Sequence, residues 1–252
     1  LVVAITNSET MSKQIDVVAT ADYATTFDVN PGVDGVEAVS ANIGDTATYI
    51  YDEAGTYTIT VTAKGGAIET TSFSQDFEVT AIQQPVISAD TPPSRKITDV
   101  VSVFSSVYDD LTGTDFFPNW GQSTTYTEYD LEGDKMIQYA NLNYQGVQFE
   151  TQNVSNMQYL HMDVWTADLA ALQIFPISAA TGEKFVTKEL TPDSWTTIDI
   201  PLSAFTDQGL SMADIFQFKF VDPDNTGKTI FIDNIYFYKN PSEPSPLAGK
   251  WK

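Results

Sequence analysis

The chain has 252 residues, with 12 Lys and Arg against 34 Asp and Glu, a formal net charge of −22. Such a surface repels polyanions, so nucleic acid and anionic membrane are excluded as expected partners, while neutral and cationic ligands remain open. The absence of cysteine rules out a disulfide framework, a thiolate zinc site and a cysteine nucleophile.

Tyr and Phe dominate an aromatic content of 12%, and Thr, Val and Ile are frequent beside them. That bias favours strands, and the expected fold class is all-β. No apolar run is long enough to cross a membrane as a helix. The chain opens at Leu1 without a charged signal region, which reads as a trimmed mature protein.

Residues 1–82 read as a first domain. Gln14–Thr20 and Tyr57–Thr62 alternate as half-buried strands do, and turn signals stand at Asn30-Pro-Gly32 and Gly65-Gly66. The stretch Tyr49-Ile-Tyr-Asp-Glu-Ala-Gly-Thr-Tyr57 resembles the late-strand signature of PKD domains, a family of immunoglobulin-like β-sandwiches. In that family a tight turn, here Ala54-Gly55, leads into a strand whose tyrosine packs at the sandwich corner. The acidic Gly-rich turn usual near the middle of the family is poorly matched by Phe27–Asp34. The expected role of this domain is that of a rigid spacer.

Residues 83–95, with Pro85, Pro92 and Pro93, read as an extended linker, because proline stiffens the chain and removes backbone donors. A second all-β domain is expected over 96–240. Residues 241–252 read as another proline-rich linker and the opening of a further module. Single helical turns are expected at Pro201–Phe205 and Ser211–Ile215, and a hairpin turn at Asp224–Gly227. Asp222–Asp233 has the skeleton of an EF-hand loop, but strand-like runs flank it where that motif needs helices.

The second domain carries the chemistry. In Tyr159–Trp165, Leu160, Met162 and Val164 point to the core, and Tyr159, His161, Asp163 and Trp165 point the other way. The same alternation turns Gln173 and Phe175, Gln217 and Lys219, and Gln148 outward. Amides, a carboxylate and an ammonium match sugar hydroxyls, and an indole offers a flat plane for a pyranose. Collected on one sheet face, these residues predict a groove for a neutral carbohydrate. Trp120, in the loop Thr112–Gln122, is expected at its rim. Tyr139 and Asn141, in the Asn-rich 139–144 segment, are further candidates.

The runs Val100–Tyr108, Phe117–Gln122, Gln138–Gly146, His161–Trp165 and Phe231–Phe237 together resemble a β-jelly-roll carbohydrate-binding module. Modules of this kind accompany laminarinases or form SusE-like surface glycan-binding proteins of marine Bacteroidetes. The resemblance implies laminarin or a related β-1,3-glucan as ligand, and a SusC/SusD-type outer-membrane uptake complex as partner. It also implies a secreted or cell-surface location, anchored to the outer membrane in the full-length protein. One structural Ca²⁺ is implied at Asp233 with first-strand groups at Ser105 and Tyr108. Where the family has a first-strand Asp this chain has Ser106 or Ser105, leaving Asp109 or Asp110 to stand in.

No G-x-S-x-G elbow, H-E-x-x-H or Gly-rich phosphate loop is present, nor the E-x-D-x-x-E strand of jelly-roll hydrolases. Asp130–Asp134 clusters acids around a glycine and reads as a turn. Asp163 alone on the groove suits hydroxyl recognition better than hydrolysis, which needs two carboxylates. The expected protein is not an enzyme. Accessory domains of a larger secreted glycoside hydrolase, and an adhesin without a sugar site, are the alternatives.

Overall fold

The computed structural model describes residues 1–66 and 70–241. The module opening expected beyond Pro241, and the continuation of the turn after Gly66, lie outside the described residues. The chain divides into two compact units, Leu1–Val86 and a second beginning at Ile87, both almost wholly β.

The first unit is a two-sheet antiparallel sandwich. Its strands are β1 (Val2–Asn7), β2 (Gln14–Thr20), β3 (Ala24–Asn30), β4 (Val39–Asn42), β5 (Thr46–Ile50), β6 (Gly55–Gly65) and β7 (Thr71–Val79). One sheet runs β1-β2-β5 and the other β4-β3-β6-β7. Alternation decides what goes inside: Ile15, Val17 and Ala19 of β2 meet Phe27 and Val29 of β3 and Ile59 and Val61 of β6, all buried. Two tyrosines tie strands to turns. The Tyr57 hydroxyl donates to the Glu53 carbonyl at 2.9 Å, and the Tyr51 hydroxyl to the Pro31 carbonyl at 2.9 Å. Gly32 follows with φ +76°, and any Cβ there would run into the backbone of Thr58.

The second unit contains β8 (Val100–Phe104), β9 (Thr125–Leu131), β10 (Asp134–Ala140), β11 (Tyr144–Gln152), β12 (Tyr159–Thr166) and β13 (Ala171–Ser178). There follow β14 (Gly182–Glu183), β15 (Val186–Glu189), β16 (Ser194–Pro201), the single turn α1 (Ser203–Thr206), β17 (Ile215–Val221) and β18 (Ile230–Tyr238). Sheet one is ordered β16-β12-β18-β10-β9, with β8 sharing the β10 side of β18. Sheet two is ordered β11-β17-β13-β14, with β15 also on β13. From β10 onward the chain mostly swaps sheets at each strand, the jelly-roll arrangement.

One core fills the space between the sheets. Leu160, Met162 and Val164 of β12 and Ile232, Ile235 and Phe237 of β18 face Val147 and Phe149 of β11, Leu172 and Ile174 of β13, and Phe218 and Phe220 of β17. The turn at Glu132-Gly133, both at positive φ, closes the β9–β10 hairpin as the acid-and-glycine cluster predicts. The expected hairpin turn at Asp224–Gly227 is instead a turn at Pro223-Asp224, where the Asn225 N–H donates to the Asp222 carbonyl at 3.1 Å, and it carries the chain from sheet two to sheet one. Ser211–Asp214 forms no helix.

Residues 87–95 differ most from expectation. Instead of an extended linker they form a strap on the outer side of sheet one. The Trp195 Nε1–H donates to the Ile87 carbonyl at 2.8 Å, Asn234 Nδ2 to that of Asp90 at 3.4 Å, and the Tyr108 hydroxyl to that of Pro93 at 2.5 Å. Pro92 is buried, and the Arg95 guanidinium lies 3.9 Å above the Tyr238 ring. Prolines lack donors, but the carbonyls around them are free, and the sheet supplies side-chain donors to meet them.

Candidate functional site

The jelly roll divides the expected groove residues between two outer faces. Residues on β12 belong to sheet one, whereas Gln148 on β11, Gln217 and Lys219 on β17, and Gln173 and Phe175 on β13 belong to sheet two. Both sets point away from the core, on opposite sides of the sandwich.

The face of sheet two is ordered by register. Gly146, Lys219 and Phe175 form one row across β11, β17 and β13, with Gln148, Gln217 and Ile177 in the next. Trp120 lies flat on the first row: a Cβ on Gly146 would fall 2.5 and 2.6 Å from its Cζ3 and Cζ2 carbons. Only a glycine leaves room for the indole here. The loop carrying Trp120 is fixed at many points. Its backbone accepts the Tyr144 hydroxyl at 2.8 Å, its N–H donates to Gln122 Oε1 at 2.7 Å, and Gln122 Nε2 reaches Pro118 and Gln145. Upstream, Asp115 and Gln148 exchange backbone hydrogen bonds at 2.8 Å, which adds the loop to the edge of β11.

The middle of the row is polar. The Lys219 ammonium bonds both Glu183 carboxylate oxygens at 2.7 Å and lies 4.1 Å above the Phe175 ring. Phe185, 43% exposed, stacks on Phe175 with centroids 4.8 Å apart. Gln217 Nε2 donates to Gln148 Oε1 at 3.0 Å, which leaves the outer amide groups of both without a partner among the described residues. The Trp120 indole N–H is equally unpartnered. The face thus has an aromatic plane at each end, with a neutralised ion pair and amides between them. Two strand spacings, about 10 Å, separate Gly146 from Phe175.

His161, Asp163 and Trp165, expected on an open groove, are instead 8%, 2% and 4% exposed. Trp165 packs edge-on against Phe231 with centroids 5.6 Å apart. The His161 ring stacks on Tyr236, with Nδ1 at 2.9 Å from Asp199 and Nε2 at 3.4 Å from Asp163. Asp163 also accepts from Thr197 at 2.8 Å and Asn234 at 2.9 Å. Burial works against charge on His161, but the hydrogen bonds to Asp163 and Asp199 outweigh it and lift its pKa to about 9. In return, the hydrogen bond from His161 holds the Asp199 carboxyl below its usual value. These groups satisfy one another beside the strap.

Tyr139 is wholly buried, and its hydroxyl donates to the Phe116 carbonyl at 2.6 Å. Asn141, at φ +53°, donates to the Ser123 carbonyl at 3.2 Å. Both hold the Trp120 loop from behind rather than facing the row. Asp233 is buried opposite Asp163, and burial pushes its carboxyl up to about 7. The Ser105 hydroxyl donates to Asn234 at 3.3 Å, and that of Tyr108 is used on Pro93. Among the described residues, no group of three or more His, Cys, Asp or Glu side chains is placed to hold a metal ion.

Sequence reasoning passed over Glu183, Phe185 and Trp195. Glu183 and Phe185 follow the Ala179–Thr181 turn, and a phenylalanine so close to a turn was the available signal. A cavity of about 1000 Å³ lies away from this face, lined by residues at the β11–β12 and β16–α1 junctions and at the end of β18.

No protein-family model matches the chain, and no curated protein matches it. Among solved structures it is similar to a family 29 carbohydrate-binding module at 15% identity, over 59% of this chain and 99% of that one, with a TM-score of 0.42. A second family 29 module aligns at 15% identity over 60% of this chain and 97% of that one, TM-score 0.42. A carbohydrate-binding module of the β-sandwich superfamily aligns at 16% identity over 94% of this chain and 97% of that one, TM-score 0.37. Likeness at this level carries no argument about function.

Proposed function

We propose that the second unit binds a neutral polysaccharide without cleaving it, on the outer face of sheet two. The observation that carries this reading is the Trp120 indole, seated on Gly146 by a fixed loop and in line with Lys219, Phe175 and Phe185. A rigid aromatic plane costs little ordering entropy when a sugar ring stacks on it. Trp120, Gln148, Gln217 and Lys219 are the ligand-contacting residues, joined by the exposed Phe185, which the buried Phe175 supports by stacking. Lys219 and Glu183 cancel, which suits an uncharged ligand. Glu183 is thus engaged by Lys219 rather than free as an acid or base, and hydrolysis needs two such carboxylates flanking the bond.

The resemblance read from the sequence supplies the finer reading: laminarin or a related β-1,3-glucan, at the surface of a bacterium, beside a SusC/SusD-type uptake complex. The first unit serves as a spacer. Affinity electrophoresis in gels containing laminarin, mixed-linkage glucan, xylan or alginate tests the whole. Laminarin should retard the wild type and not Trp120→Ala, and alginate, a polyanion, should retard neither. Equal retardation of wild type and variant removes the site from this face.

A further inference from the structure

The cavity of about 1000 Å³ lies where β11 gives way to β12, where β16 enters α1, and where β18 ends. Its volume is at the upper end of the range of small-molecule clefts. Leu202 and Met212, both part of the hydrophobic core, give it an apolar floor. Tyr159 stands on its wall, its ring stacked on Tyr238 at 5.0 Å. Around these, polar groups converge with bonding capacity to spare. Gln158 Oε1 accepts the Asn240 N–H at 2.9 Å, but its Nε2 has no partner among the described residues. The hydroxyls of Ser203 and Tyr159 likewise donate to no described atom. The cavity's two charges, Lys239 and Asp99, are 3.5 Å apart and cancel.

An apolar floor, an aromatic ring, free amide and hydroxyl groups and no net charge suit a neutral pyranose. We propose that this cavity is a second carbohydrate site, separate from the sheet-two face, and that it takes the end of a neutral oligosaccharide chain. A cleft with an apolar floor at the end of the sandwich suits the terminal rings of a chain, whereas the sheet face admits a chain passing through. A chain held at both places stays attached when either contact opens, and the two contacts together bind more tightly than either alone.

The test is calorimetric titration of the full chain with laminarihexaose, cellohexaose and mannohexaose. Ser203→Trp fills the cavity from an exposed position, Gln158→Ala removes the amide, and Trp120→Ala removes the sheet platform. The wild type should take two hexaoses per chain. Ser203→Trp should take one, Gln158→Ala should weaken one site at least tenfold, and both should melt where the wild type does. Trp120→Ala should retain the cavity site, and the double variant Trp120→Ala/Ser203→Trp should bind none. A single site abolished by Trp120→Ala and indifferent to Ser203→Trp overturns the second site while leaving the sheet face standing. A single site abolished by Ser203→Trp and indifferent to Trp120→Ala keeps the cavity and sinks the sheet face. Absence of binding of all three hexaoses overturns both.

Discussion

The sharpest perturbation of the sheet-two face is a single methyl group on Gly146. Its carbon would sit 2.5 and 2.6 Å from two Trp120 ring carbons, where carbon atoms in contact keep about 3.5–4.0 Å. The indole must therefore lift or swing by roughly 1 Å or more. Half of the ~150–250 Å² that an aromatic side chain buries, at ~25 cal/mol/Å², puts the ligand-facing side of the ring at about 2 kcal/mol. Losing that contact weakens binding about thirtyfold. Gly146→Ala should therefore reduce laminarin affinity by that order in calorimetry. In a Trp120→Ala background, where no ring is left to displace, the same change should have no further effect. Equal losses in both backgrounds would mean that Gly146 acts through the strand rather than through the indole, and the platform argument would fail.

Phe185→Ala, at a position 43% exposed, should weaken laminarin binding several-fold and leave the melting temperature within about a degree, since an exposed ring adds little to stability. Unchanged affinity would confine the site to the Trp120 end. Trp195→Phe removes the donor to the Ile87 carbonyl at 2.8 Å and should cost about 1 kcal/mol in urea unfolding of the second unit. An unshifted midpoint would mean that the strap contributes nothing measurable. His161, lifted from 6.5 to about 9, stabilises the fold fully below about pH 6.5, and that contribution is lost as pH rises through about 9. The shift corresponds to on the order of 3 kcal/mol, so a melting series from pH 6 to 10 should fall for the wild type and flatten for His161→Gln. Parallel curves would remove His161 as the cause.

The strands were legible because alternation in this chain is strict. Gln14–Thr20 emerges as β2 with the bounds its pattern gives, and the inward set Leu160, Met162 and Val164 lies in the core as its spacing requires. A period of two separates inside from outside, but it does not say in which sheet a strand sits. The jelly roll places β12 and β17 in opposite sheets, so Trp165 and Lys219, both outward, cannot share a groove. Nor does outward mean exposed. Pro92 and Pro93 suggested a stiff linker, whereas the carbonyls of that segment accept from Trp195, Asn234 and Tyr108, donors far away in sequence. Tyr139 stood among the ligand candidates because of its Asn-rich neighbours, though it ends the inward series of β10 with Ile137.

Hydrogen-bond accounting separates the two outer faces where residue type does not. Both carry a tryptophan, a charged residue and polar neighbours. On sheet one the capacity is spent: Asp163 accepts from Thr197, Asn234 and His161, and both His161 nitrogens face carboxylates. Inserting a ligand there would break contacts already made, and buried polar groups left unpaired are expensive. On sheet two the backbone frame is spent and the side-chain tips are not. Tyr144, Gln122 and Asp115 fix the loop, while the Trp120 indole N–H and the outer amide groups of Gln148 and Gln217 have no partner among the described residues. A fixed frame with free tips is what hydroxyl recognition requires, because the ordering cost is met on folding rather than on binding.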